Sequence, residues 1–110
     1  MGLFLSKKTN PPMSVNNNEP VTNKVMRLNH PGSCTGMFWR GDPYTNGHAP
    51  TNDNWPRNGA LLEGTGPHVV KNVRYFKVSA IQQAGSQGFK AVPDGTYMLY
   101  DQGGRVLHDT

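Results

Sequence analysis

The sequence predicts an all-β fold, a small, partly open β-barrel of five to seven short strands that follows a disordered N-terminal tail. Glycine (13), proline (9) and asparagine (11) are so frequent that long helices have no room to form. Short apolar runs lie between these turn-forming residues, and no stretch has a sustained 3.6-residue period. The length of 110 residues is enough for one domain.

The first 23 residues are predicted to lie outside the folded domain. Residues 9–23 are polar, rich in proline and asparagine, and contain few side chains that a core could bury. We therefore expect residues 1–23 to form a flexible tail and linker, and residues 24–110 to form the β-barrel domain.

The strands of the domain are predicted from short apolar runs bounded by turns. The clearest is 69–81, in which Phe76, Val78 and Ala80 alternate with polar neighbours and should face inward. Turns are expected at 30–33, 64–67, 82–88, 93–95 and 101–104. The remaining strands are expected at 24–28, 35–40, 60–63, 88–92, 96–100 and 105–107.

A long loop, residues 41–58, supplies the candidate partner-binding site. Its eighteen residues include three prolines and lack apolar periodicity, and ordered loops of this length are usually functional or mobile. Flat aromatic side chains suit peptides and stacked rings as ligands. The alternative is that the two tryptophans only cover the open end of the barrel. The candidates in this loop and at its rims are Trp39, Tyr44, Trp55, Tyr97 and Tyr100.

The order of elements from Ala60 to Tyr100 resembles a Src-homology-3-like small barrel of the bacterial type. The resemblance rests on common small-barrel features. It implies a small β-barrel fold. The segments that carry it are Gly-Ala-Leu-Leu-Glu-Gly (59–64), Val-Arg-Tyr-Phe-Lys-Val (73–78), Gly-Phe-Lys-Ala-Val (88–92) and Pro-Asp-Gly-Thr-Tyr (93–97).

The first eight residues match the N-myristoylation pattern Met-Gly-x-x-x-Ser/Thr, with Gly2 as the acceptor. One myristoyl chain binds a bilayer weakly, with a constant of about 10⁴ M⁻¹. Lys7 and Lys8 would each add about 1 kcal/mol near an anionic leaflet. Leu3, Phe4 and Leu5 could enter the interface beside them. The pattern predicts reversible attachment to the cytosolic face of a membrane, with the cytosol as the other location, unless Met-Gly is an ordinary start.

Catalysis and metal binding have little support in the sequence. Cys34 with His30 is the only candidate nucleophile and base, and a lone cysteine is more often structural. One cysteine excludes an internal disulfide, and the four histidines lack metal-site spacing. Arg40-Gly41-Asp42 spells the integrin-binding tripeptide, which we interpret as chance. We expect neither enzymatic activity nor a cofactor.

The charge pattern favours a protein or membrane partner over a nucleic acid. The net charge is +4, but the basic residues are spread along the chain and only Lys7 and Lys8 are adjacent. The sequence thus predicts a non-catalytic, N-myristoylated, membrane-peripheral adaptor or scaffold whose β-barrel binds a protein partner. The alternative is a soluble ligand- or nucleic-acid-binding barrel without a lipid anchor.

Overall fold

A computed structural model describes residues 19–50 and 54–110, and this part of the chain is all-β, as predicted. It contains six strands and no helix. The bounds are β1 (Thr22–Leu28), β2 (Leu61–Val70), β3 (Val73–Gln82), β4 (Lys90–Ala91), β5 (Tyr97–Leu99) and β6 (Leu107–Asp109).

The strands form one antiparallel sheet in the order β4-β3-β2-β1-β6. β5 pairs with the same edge of β3 as β4, along Tyr75–Lys77. Within the described residues no strand pairing joins the two ends of this sheet, so it stays open. The ends are linked by the carbonyl of Tyr100, which accepts hydrogen bonds from the amides of Val106 (2.8 Å) and Leu107 (3.2 Å). The closer likeness to a Src-homology-3-like barrel stays a prediction.

The predicted strand 69–81 is wrong in one respect, because a tight turn divides it. β2 ends at Val70 and β3 begins at Val73, with Lys71 (φ 52°) and Asn72 (φ 65°) between them. Positive φ at both central residues is typical of the turns that match the twist of a β-hairpin. The turn expected at 64–67 instead lies inside β2.

Other boundaries also differ from the predicted ones. Segment 35–40 is not a strand. Within it only two residues form isolated bridges, Gly36 with Arg57 and Arg40 with Tyr97. β1 begins at Thr22, two residues before the predicted start of the domain. The predicted strand 88–92 is shortened to β4. The predicted strand 105–107 is displaced toward the C-terminus and corresponds to β6.

Two irregularities in the β2–β3 ladder decide which side chains share a face. The register passes from Thr65↔Lys77 to His68↔Tyr75, so β2 has two residues where β3 has only Phe76. Side chains alternate between faces along a regular strand, and a bulge interrupts this alternation. As a result Thr65 and His68, three residues apart, contact each other on the outer face.

The inner face of the sheet carries the core. Phe76 is fully buried and packs edge-to-face on Tyr100, with ring centroids 6.0 Å apart. The loop segment before residue 41 contributes Met37 and Trp39 to the same cluster. The other buried members are Met26, Leu28, Ala60, Leu62, Val78, Ile81, Met98, Val106 and Leu107.

Candidate functional site: an aromatic–arginine surface

The five aromatic residues predicted to line one groove do not form one surface. Trp39 and Tyr100 belong to the core. Tyr97 is 3% exposed, and its ring and that of Tyr44 both pack on His68, with centroids 6.2 Å and 6.1 Å from the His68 ring. Tyr44 is 60% exposed and Trp55 is half-buried. Only these last two present a substantial ring surface to solvent. The predicted membrane-contacting residues, with the lipid acceptor, lie outside the described residues: Gly2, Leu3, Phe4, Leu5, Lys7 and Lys8.

Trp55 belongs to a different exposed group, which we call the aromatic–arginine surface (Phe38, Trp55 and Arg57). Phe38 is 68% exposed, and its ring centroid lies 4.8 Å from that of Trp55 at an interplanar angle of 52°. The guanidinium carbon of Arg57 lies 3.5 Å from the centroid of the Trp55 ring, a close cation–π contact. Two aromatic rings and one guanidinium therefore form one continuous contact.

Backbone pairing between two loop segments positions this surface. The amide of Met37 donates to the carbonyl of Pro56 (3.1 Å), and the amide of Asn58 donates to the carbonyl of Thr35 (2.7 Å). Between them Gly36 faces the indole, where a Cβ would lie 2.9 Å from the Trp55 ring and 2.3 Å from the Pro56 carbonyl oxygen. The close approach requires glycine at this position.

Gln83, directly after β3, fixes the other side of the surface. Its Oε1 accepts from the amide of Arg57 (3.2 Å), and its Nε2 donates to the carbonyl of Trp55 (3.0 Å). The same Nε2 lies 3.1 Å from Oδ1 of Asn54. Since the backbone that carries Trp55 and Arg57 is already held, a ligand would not have to order it on binding.

Sequence reasoning missed Phe38 and Arg57, although a signal for Phe38 was present. Met37 and Trp39 are buried while Phe38 between them is exposed, which is the alternation of an extended segment. This alternation assigns Trp39 to the core and leaves Phe38 for contacts. Arg57 had no such signal, because its stacking depends on the pairing of residues distant in sequence.

A second feature lies on the outer face, where Tyr44 contacts His68. The Tyr44 hydroxyl is 3.3 Å from Nδ1 of His68, and Oγ1 of Thr65 is 3.0 Å from Nε2. The loop that carries Tyr44 is closed by Asp42, whose carboxylate accepts from the Tyr44 amide (2.8 Å). Both ring nitrogens of His68 thus have partners, and the histidine connects the Tyr44 loop to β2 through its side chain.

An open groove of about 810 Å³ lies beside the His68 contact with Thr65, across β1, β2 and β3. Its volume is within the usual range for small-ligand sites. Two lysines and two carboxylates line it, so its charge is balanced. The lining residues are Asn23, Lys24, Val25, Glu63, Gly64, Thr65, Lys77, Val78, Ser79, Val92 and Asp94.

His68 gives a testable pH dependence. Burial, and then the positive charge of Lys77, hold its pKa below the usual 6.5, while Asp42 opposes the shift. The folded state therefore favours the neutral ring, and this stability is fully present above pH 6.5 and lost as pH falls through the folded pKa. We expect Lys77→Gln to raise the pKa of His68 in an NMR titration, and Lys90→Gln on β4 to leave it unchanged. An equal pKa of His68 in the wild type and in Lys77→Gln would show that Lys77 does not contribute to the shift.

The candidate catalytic pair is not assembled. Nδ1 of His30 accepts a hydrogen bond from the amide of Gly32 (2.9 Å), and within the described residues Cys34 and His30 form no hydrogen bond. In residues 19–50 and 54–110 no group of three His, Cys, Asp or Glu side chains could hold a metal ion. Over the same part of the chain, no helix is long and apolar enough to cross a bilayer.

The integrin-type tripeptide is not displayed as a free loop tip. Arg40 donates from its guanidinium to Oε1 of Gln102 (2.8 Å), and its backbone exchanges two hydrogen bonds with Tyr97. Asp42 caps its own turn through the Tyr44 amide. Both charged side chains are engaged within the domain.

Comparison with known proteins assigns no family to the chain. It has no match among protein-family models, curated proteins or solved structures. Function is therefore inferred from the geometry of the aromatic–arginine surface and from the sequence.

Proposed function

We propose that this protein is a non-catalytic, N-myristoylated, membrane-peripheral adaptor whose β-domain docks a protein partner on the aromatic–arginine surface. The observation that carries the proposal is Phe38, 68% exposed and packed against the Trp55–Arg57 stack. Aromatic residues and arginine are enriched among the residues that dominate binding energy at protein interfaces. A phenylalanine ring in water also gains hydrophobic stabilisation when a partner covers it.

The rigidity of the surface supports the same proposal. Gln83 and the pairing of residues 35–37 with 56–58 hold the backbone on both sides of the rings. A preformed site loses little conformational entropy when it binds, so more of the contact energy remains as affinity. Such a site suits docking better than it suits chemistry, because it contains no acid, base or nucleophile.

Membrane attachment is the second half of the proposal, and the sequence supports it through the acceptor Gly2 with Lys7 and Lys8. A single acyl chain with two lysines gives reversible binding. The anchor and the docking surface belong to one chain, so binding of either one raises the effective concentration at which the other meets its target. The weak anchor and a membrane-associated partner would therefore hold the protein at the membrane together.

The groove on the outer face favours one alternative, a soluble domain that binds a small polar ligand. Its volume of about 810 Å³ and its paired lysines and carboxylates would suit a zwitterion. A nucleic acid fits this groove poorly, because its phosphates require a positive channel and Glu63 and Asp94 oppose them.

The anchor is tested by Gly2→Ala in eukaryotic cells. We expect the wild type to lose Met1, gain the mass of a myristoyl group and sediment partly with membranes. The variant should lack the myristoyl mass and become soluble, because only Gly2 accepts the acyl chain. Intact-mass spectrometry with fractionation measures both, and equal membrane fractions for the two proteins would remove the anchor from the proposal.

Docking is tested by Phe38→Ser, with Val73→Ser as a matched control. Val73 is also an exposed apolar residue (39%), but it lies at the β2–β3 hairpin, the opposite end of β3 from Gln83. We expect Phe38→Ser to lose at least one protein that the wild type and Val73→Ser both retain in quantitative affinity capture. The same set of proteins for all three would count against docking at this surface.

A further inference from the structure

We infer that the partner segment bound by the aromatic–arginine surface is acidic, with a carboxylate that pairs with Arg57 and an adjacent apolar side chain that covers Phe38 and Trp55. This inference rests on the proposed docking function and names the partner chemistry. It follows from the lack of an ion pair at the Arg57 guanidinium and from its position on the half-buried Trp55 ring, which the exposed Phe38 ring also contacts.

Among residues 19–50 and 54–110, the Arg57 guanidinium forms no ion pair. Both ion pairs among residues 19–50 and 54–110 belong to Arg74, which contacts Glu19 (3.8 Å) and Asp101 (3.2 Å). In the same ranges Arg40 donates to Gln102, and Arg105 donates to the carbonyl of Leu107. Arg27 and Arg57 have no such partner in these ranges, and of the two only Arg57 stacks its guanidinium on an aromatic ring, that of Trp55, which leaves its fork of N–H donors for a ligand.

Stacking makes this guanidinium a good receptor for a carboxylate. The indole holds the planar group at 3.5 Å, so the side chain has lost part of its freedom before a ligand arrives. A carboxylate can then accept two parallel N–H bonds, a charge-assisted geometry stronger than a hydrogen bond between neutral groups. The net charge of +4 adds a general attraction for an acidic partner.

The rings specify the second feature of the ligand. Trp55 contacts both the guanidinium and the Phe38 ring, which is tilted by 52° to it, so an apolar or aromatic side chain near the carboxylate can cover the exposed ring surface. A peptide places both groups on neighbouring residues. The bases of a single-stranded nucleic acid could also stack on these rings. Its phosphates, however, require a groove lined by several cationic side chains. At this surface the structure places one cationic side chain, Arg57, next to the neutral Gln83.

A random peptide display selection on the full chain tests the inference. Binders are selected against the wild type and counter-selected on Phe38→Ser, and oligo(dT) is titrated in parallel. The expected binders carry Asp or Glu beside an aromatic or aliphatic residue. Arg57→Gln should weaken them about tenfold or more, and Lys71→Gln, the same charge change at the β2–β3 hairpin, should not.

The amide forms of the selected peptides complete the test. When their Asp and Glu are replaced by Asn and Gln, we expect equal, weakened binding to the wild type and Arg57→Gln. Binders without an excess of acidic residues, or a tighter complex with oligo(dT), would overturn the acidic partner while leaving docking at the rings intact. A selection that yields no binder dependent on Phe38 would overturn both the inference and the docking surface.

Discussion

Phe76→Ala is expected to destabilise the domain by about 3–5 kcal/mol, the usual cost of removing a fully buried phenylalanine. Phe76 is 0% exposed, packs edge-to-face on Tyr100 and lies opposite the β2 bulge. β3 is held on both sides by pairing with β2 and β5, so its backbone cannot move inward to fill the space that the ring leaves. Most small domains have a total stability of only about 5–15 kcal/mol, so a substantial unfolded fraction is expected at 37 °C.

Chemical denaturation followed by circular dichroism measures this effect. Val73→Ala, on the same strand but 39% exposed, is the matched control and should change the free energy of unfolding by less than about 1 kcal/mol. Equal losses for the two variants would contradict the assignment of Phe76 to the core.

Gly64→Ala is expected to be the second most damaging change, at or above the upper end of the about 1–3 kcal/mol cost of overpacking. A Cβ at Gly64 would lie 1.9 Å from the backbone oxygen of Lys77, in the neighbouring strand. A flexible side chain could move away, but this oxygen belongs to the β2–β3 ladder. The variant must therefore displace one strand from the other.

Gly47→Ala is the control for this substitution. Its Cβ would lie 3.3 Å from the Thr45 side chain and no closer than 3.8 Å to Asp42, in an exposed loop. Thermal unfolding should show a large decrease in Tm for Gly64→Ala and a small one for Gly47→Ala. A Gly64→Ala protein as stable as the wild type would mean that β2 and β3 do not pair in this register.

The fold class could be predicted because it depends on local patterns. Dense turn-forming residues and alternating apolar residues indicated strands, and Phe76 and Val78 do face the core. Beyond Ser79 the alternation shifts, and Ile81 is buried where Ala80 was expected. The cause is an irregularity in the β2–β3 register. Glu63 pairs with Ala80 and Gly64 with Val78, so β3 has one extra residue, Ser79, at this point.

The hairpin at Lys71 and Asn72 escaped prediction for a related reason. Neither residue is glycine, so the two-residue turn lacked its strongest signal and an apolar run seemed to continue through it. The aromatic–arginine surface was harder still. It requires that residues 35–37 pair with 56–58 and that Gln83 reach both Trp55 and Arg57. These contacts join segments about 20–30 residues apart, which no local periodicity reports.

The most direct test of the central claim is site-specific photo-crosslinking in cells, with p-benzoylphenylalanine at position 38 or at position 73 of the full chain. Both positions are exposed and apolar, but only Phe38 belongs to the aromatic–arginine surface. We predict a discrete covalent adduct with a partner protein from position 38, reduced by Arg57→Gln, and none from position 73. Equal adducts from both positions, or none from position 38, would contradict docking at this surface.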